Sequence, residues 1–222
     1  MSVASEIVRF TDELPANVRL VAVSKFHPVE KLMEAYSAGQ RIFGESRVQE
    51  LVQKAQEMPA DVQWHFIGHL QTNKVRALLP HVSLIHSVDS ERLLDCIDKE
   101  AERIGRTVDV LLQIHVAQEE AKFGFTLQEI TQLANSGKLT AMSHVRVVGV
   151  MAMATNTDDD AEIRREFAEA HHVFYTLKDG CFFGDEHFCE LSMGMSDDYR
   201  LAIAEGSTMV RIGTTIFGAR EY

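Results

Sequence analysis

Strand-like and helix-like stretches alternate from one end of this chain to the other, which leaves very few folds open to it. Apolar runs with strand character occupy Arg19–Ser24, Arg41–Phe43, Trp64–Ile67, Leu84–Val88, Val108–Val116, Val145–Met151, Phe188–Leu191 and Met209–Ile212. Between them, apolar residues recur at helical spacing. Val48, Leu51, Val52 and Ala55 share one face, as do Leu93, Leu94, Ile97, Ala101 and Ile104. Ile163, Phe167, Ala170, Phe174 and Leu177 mark a longer helix ahead of Gly180. Thr126 and Glu129 form a capping box before Ile130 and Leu133, and Gly137 follows as a stop. Eight βα units, with a further amphipathic helix at the N-terminus, predict an α/β fold. The expected architecture is a single-domain (β/α)8 TIM barrel over residues 1–222 without a second β-domain. An open doubly wound sheet is the competing fold. It would carry a glycine-rich turn after its first strand, and here that turn is Lys25-Phe26-His27-Pro28.

The chain has 222 residues, of which 45% are hydrophobic and 25% charged, so it has ample material for a core. Its formal net charge of −11 argues against nucleic acid and anionic membranes as partners. An anionic ligand would therefore depend on local donors. No apolar run is long enough for a membrane-spanning helix, and the N-terminus lacks the basic and apolar regions of a signal peptide. Cys96, Cys181 and Cys189 are widely spaced and suggest no disulfide framework. A cytoplasmic location is expected.

In a parallel barrel, function sits at the C-terminal ends of the strands. Lys25 ends the first strand. Val21, Val23 and Lys25 lie on one face of it, so the lysine rises into the mouth if the valines fill the interior. Desolvation there lowers a lysine pKa and favours the neutral amine that Schiff-base formation needs. Ser196 follows the seventh strand and is expected to open a helix at Asp197–Glu205, while Gly213 and Thr214 follow the eighth. Barrels commonly bind phosphate with these two loops, through free amides and hydroxyls. The plainer alternative makes Ser196 an N-cap and Gly213 a turn. Arg211 alternates with Met209 and so faces either the mouth or a carboxylate such as Glu45 or Glu190.

The ten histidines do not form a metal motif. His65 and His69 straddle a strand end and Gly68, and His171-His172 is an adjacent pair whose rings diverge on a helix. Asp158-Asp159-Asp160 reads as a helix start and lacks calcium-loop spacing. No metal site is expected.

Several segments together carry a family resemblance. They are Ala22-Val23-Ser24-Lys25, Phe43-Gly44-Glu45 with Val48-Gln49-Glu50, Trp64 to Gln71 with Asn73-Lys74, Lys122-Phe123-Gly124, Gly149-Val150-Met151-Ala152-Met153, Leu191 to Ser196, and Arg211-Ile212-Gly213-Thr214 through Phe217-Gly218-Ala219-Arg220. In these, over almost its whole length, the chain resembles the pyridoxal phosphate homeostasis protein family, small barrels related to the N-terminal domain of alanine racemase. The resemblance implies pyridoxal 5'-phosphate (PLP) as cofactor, a Schiff base on Lys25, phosphate contacts from Ser196, Gly213 and Thr214, and Arg211 beside the ring nitrogen. The family usually has Gly-Glu-Asn after the second strand; this chain has Gly44-Glu45-Ser46, which puts a hydroxyl at the ring-side position.

The function so implied is intracellular PLP homeostasis or carriage, without an established turnover. PLP-dependent apo-enzymes are the expected protein partners, and a monomer is the expected state. The main alternative is a PLP-dependent amino-acid racemase. That chemistry needs proton donors on both faces of the substrate carbon, and none of Tyr36, Tyr175, Tyr199 and Tyr222 obviously overhangs Lys25. A further alternative is a sugar-phosphate enzyme using Lys25 as an aldolase-type amine.

Overall fold

The computed structural model describes residues 2–117 and 123–218. Eight strands close into a barrel in chain order: β1 (Arg19–Val23), β2 (Ile42–Glu45), β3 (Gln63–Phe66), β4 (Leu84–Val88), β5 (Val108–Gln113), β6 (Val145–Met151), β7 (Glu190–Ser192) and β8 (Met209–Ile212). Neighbours are parallel throughout, and β1 closes on β8 with Val21 opposite Arg211. The connections and flanks supply the helices α1 (Val3–Glu13), α2 (Val29–Ser37), α3 (Val48–Glu57), α4 (Thr72–Leu78), α5 (Glu91–Arg103), α6 (Leu127–Asn135), α7 (Lys138–Ala141), α8 (Asp160–Asp179), α9 (Tyr199–Ala204) and α10 (Thr214–Phe217).

Strand periodicity divides the apolar residues between two cores. Val21, Leu84, Leu111, Val148, Met151 and Met209 fill the barrel interior. Their neighbours Ala22, Ile85, Val110, Leu112, Val150 and Val210 face outward and pack under the helices with Leu51, Leu94, Ile97 and Phe167. The fully buried Phe43, Phe66 and Phe167 belong to this outer layer. Each such side chain contributes about 2–3 kcal/mol by leaving water. The outer layer thus holds the helices on the barrel, and the inner one fixes the strands that carry the site.

The N-terminal helix starts at Ser2, whose hydroxyl accepts the Ser5 amide at 3.2 Å. It buries Val3, Ile7 and Phe10, and Phe10 meets the Tyr199 ring edge-on at 5.6 Å. Tyr199 Oη donates to Glu13 at 2.7 Å, tying α1 to α9.

Three strand boundaries differ from the sequence pattern by two residues or more. β2 extends two residues further, to Glu45, with Gly44 turned inward against Val21. β5 ends at Gln113, because the returning segment pairs there: Phe125 N–H donates to Gln113 O and His115 N–H to Phe125 O. β7 begins at Glu190, since Phe188 spends its hydrophobicity elsewhere. It stacks on Phe182 at 4.3 Å and on Phe174 at 5.1 Å, in an aromatic cluster against α8. Among the described residues, no helix is long and apolar enough to cross a membrane.

Candidate functional site

The sequence-predicted residues gather at one end of the barrel. Lys25 follows β1, Ser46 follows β2, Ser196 follows β7, and Gly213 and Thr214 follow β8; all are strand C-terminal ends. Arg211 lies within β8 and alternates with the interior residue Met209, so its side chain enters the barrel from the inner face. Lys122 and Tyr222 lie outside the described residues. No group of histidine, cysteine or carboxylate side chains among the described residues is arranged to hold a metal ion.

Arg211 is 4% exposed, and it pairs with neither Glu45 nor Glu190. Its guanidinium donates to Ser192 O at 2.9 Å, Ser192 Oγ at 2.7 Å and Ala152 O at 3.0 Å. Glu190, two residues before Ser192 on β7, pairs instead with Arg19 at the start of β1. Burial lowers the Arg211 pKa to about 10, with Asp198 opposing the shift, so the group stays cationic at neutral pH.

A polar chain continues from Arg211 through the barrel interior. Ser192 Oγ lies 3.0 Å from His86 Nδ1, and His86 Nε2 lies 2.9 Å from His65 Nδ1. Burial pushes the His65 pKa down to about 3. Burial, with His65 and Arg211 adding repulsion, carries His86 well below its ordinary value. Both rings are therefore neutral. Arg211 only donates, so the arrangement that uses every hydrogen runs one way. Ser192 donates to His86 Nδ1, and the His86 Nε2–H donates to His65. This polar relay holds the guanidinium through neutral groups, and the Asp198 carboxylate acts on it only through space.

Glu45 faces the opposite way, into the layer beneath α3. Its Oε1 accepts the Ser24 hydroxyl at 2.6 Å and Lys54 Nζ at 2.7 Å, while Oε2 is buried with no hydrogen-bond partner. Burial raises its pKa to about 7, against the attraction of Lys54 and Ser24. Between pH 4.5 and 7 the folded chain therefore holds a proton that the unfolded chain has released. Stability contributed by Glu45 falls as pH rises through that window, by at most about 3 kcal/mol. The urea midpoint of the wild-type chain should drop over this range relative to Glu45→Gln. Parallel midpoints for the two proteins would show that Glu45 stays ionised throughout.

The remaining residues line the rim. Ser46 is half-buried, and its carbonyl packs on Gly68 so closely that a Cβ there would lie 2.3 Å from Ser46 O. Ser196 does not open a helix. α9 begins at Tyr199, because Asp198 closes a turn first: its carboxylate accepts the Met195 amide at 2.5 Å, and Tyr199 N–H donates to Met195 O. Ser196 therefore presents a hydroxyl from a turn, rather than a helix start. Gly213 fits closely against β1, where a Cβ would sit 3.2 Å from both Val23 Cβ and Val23 O. The amides of Ile216 and Phe217 turn back to Gly213 O, which leaves those of Thr214 and Thr215 ahead of the internal ladder of α10. Across the mouth, His69 stacks on Phe123 at 3.9 Å, and its Nδ1 lies 3.0 Å from Asp89.

The model for the family "Alanine racemase, N-terminal domain" matches residues 2–221. The pyridoxal phosphate homeostasis protein of Pasteurella multocida is 40% identical over 208 residues, which covers 92% of this chain and 88% of that protein. The chain belongs to the pyridoxal phosphate homeostasis protein family. The solved structure of PipY, a protein of Synechococcus elongatus with PLP bound, is 38% identical and superposes with a TM-score of 0.89, covering 98% of this chain and all of that one. An alanine racemase from Corynebacterium glutamicum shares the fold at a TM-score of 0.76 and 16% identity, with 61% of its length covered.

Several residues around the candidate site escape a linear reading. His86 and Ser192 sit on β4 and β7, yet they meet inside the barrel at 3.0 Å. The available signal is a histidine in a largely apolar strand, alternating with the interior Leu84. Lys54 and Glu50 look like an ordinary i, i+4 surface pair on a helix. Only the packing of α3 on β1 and β2 shows that the Lys54 side chain is 7% exposed.

Proposed function

We propose that this chain is a PLP-binding protein of intracellular PLP homeostasis or carriage, with the cofactor held through Lys25. The observation that carries the reading is the pairing of a primary amine at the end of β1 with a buried arginine on the adjoining β8, fixed only by carbonyls and a hydroxyl. When bound, PLP supplies an aldehyde carbon that a neutral amine attacks with loss of water, and a ring that withdraws electrons through its nitrogen. The residues present fit that group. Gly213 leaves room where a Cβ would press on Val23, while Ser196, Thr214 and loop amides offer donors suited to a phosphate. Ser46 would lie on the ring side of such a cofactor, and Arg211 would face its ring nitrogen.

Arg211 decides between holding a cofactor and using it. A permanently charged guanidinium donates a hydrogen bond but does not readily hand over its proton, so the ring stays a weak electron sink. Neutral His86 and Ser192 behind it supply no carboxylate to alter that. The reading extends to one PLP-binding barrel domain over residues 1–222, acting in the cytoplasm as a monomer and passing PLP to apo-enzymes.

The test uses the PLP-loaded protein with a panel of amino acids in deuterated water, and with a PLP-dependent apo-enzyme. The expected result is transfer of PLP to the apo-enzyme, without α-deuterium incorporation beyond the rate of free PLP. Rapid incorporation with turnover would overturn this reading in favour of a PLP-dependent amino-acid racemase.

A further inference from the structure

Charged side chains of α3 grip the backbone on both sides of Lys25. Lys54 Nζ donates to the Ser24 carbonyl at 2.8 Å, and Glu50 Oε1 accepts the Phe26 amide at 2.7 Å. These two side chains meet each other at 2.7 Å. The third hydrogen of Lys54 goes to Glu45 Oε1 at 2.7 Å, so the whole ammonium is committed. Glu45 and Ser24 are fully buried, and the Lys54 side chain is nearly so. An ion cluster at such a depth carries a large desolvation cost, and its geometry must be closely fixed to offset it.

The gripped segment is a tight turn. His27 N–H donates to Ser24 O at 3.1 Å, and Phe26, third in the turn, has φ +68. That left-handed conformation favours glycine and is uncommon for an aromatic residue. Arg47 lies over the Phe26 ring at 4.6 Å and braces it from the solvent side. Lys25 is the second residue of this turn, so the turn sets the direction in which its side chain leaves β1.

We propose that Lys54 and Glu50 are positioning residues for Lys25, holding the 24–27 turn so that the lysine amine is aimed at the aldehyde of a cofactor seated in the barrel mouth. This rests on the reading of Lys25 as the attachment lysine. The two side chains touch backbone rather than ligand. Their loss should therefore impair attachment and leave non-covalent binding at the phosphate loops intact.

The experiment compares wild type with Glu50→Ala, whose Glu50 lies at the half-exposed edge of the cluster. Two quantities are measured: the rate at which added PLP becomes fixed by borohydride on the protein, and the affinity for pyridoxine 5'-phosphate, which keeps ring and phosphate but has no aldehyde. Attachment should slow about tenfold, while the pyridoxine 5'-phosphate affinity changes by less than about twofold. Adding Phe26→Gly to Glu50→Ala should restore the rate, since glycine adopts the left-handed turn without support. Equal loss of both ligands, an unchanged attachment rate, or failure of the glycine to rescue would each overturn the proposal. The wild-type control separates the two readings. Absence of a Lys25 adduct there removes the attachment reading itself, whereas a normal wild-type adduct with unaffected Glu50→Ala kinetics removes only the positioning role.

Discussion

A Lys25→Ala chain incubated with PLP and dialysed should lose the visible absorption of the protein-bound cofactor. Its PLP affinity should fall by roughly a hundredfold or more, because the proposed link through Lys25 would be lost while the proposed phosphate and ring contacts would remain. The half-exposed Lys25 is not part of the core, so the barrel itself should stay folded. Circular dichroism checks that point, and absorption spectroscopy checks the loss. A visible band of wild-type strength in this variant would place the attachment on another amine.

The second large effect concerns the phosphate. Ser196→Asp sets a carboxylate where the proposed reading seats the phosphate, in a chain whose formal net charge is already −11. Affinity for PLP should drop about thirtyfold or more, and affinity for pyridoxal, which lacks the phosphate, by less than about threefold. Equilibrium titration of both ligands measures the contrast. Equal losses would mean a folding defect or a different anion cradle. Because Ser196 sits in a turn closed by Asp198, ahead of α9, its replacement does not remove a helix cap.

Most of the barrel was legible because its two cores are written with period two along each strand. Val21 and Met209 alternate with Ala22 and Val210, and that alternation alone assigns inside and outside. The same rule placed Arg211 on the inward face. It could not place β7, because the most apolar residue there, Phe188, packs sideways on Phe182. Nor could it choose a partner for Arg211. Glu45 was one carboxylate candidate, but it turns outward to Lys54, and Glu190 turns to Arg19. The neutral partners of Arg211 come from the residue after β6 and from β7, and His86 behind them from β4; barrel closure brings these strands together without any local signal. The grip on the 24–27 turn was hidden for a similar reason. It joins residues 24 and 30 positions apart through the packing of α3.

The most direct measurement for the whole account is borohydride reduction of the PLP-loaded wild-type protein, followed by proteolysis and peptide mass mapping. The account predicts a single reduced pyridoxyl increment, on the peptide that carries Lys25. An increment on the peptide carrying Lys74 or Lys122 in its place, with Lys25 unmodified, would contradict it.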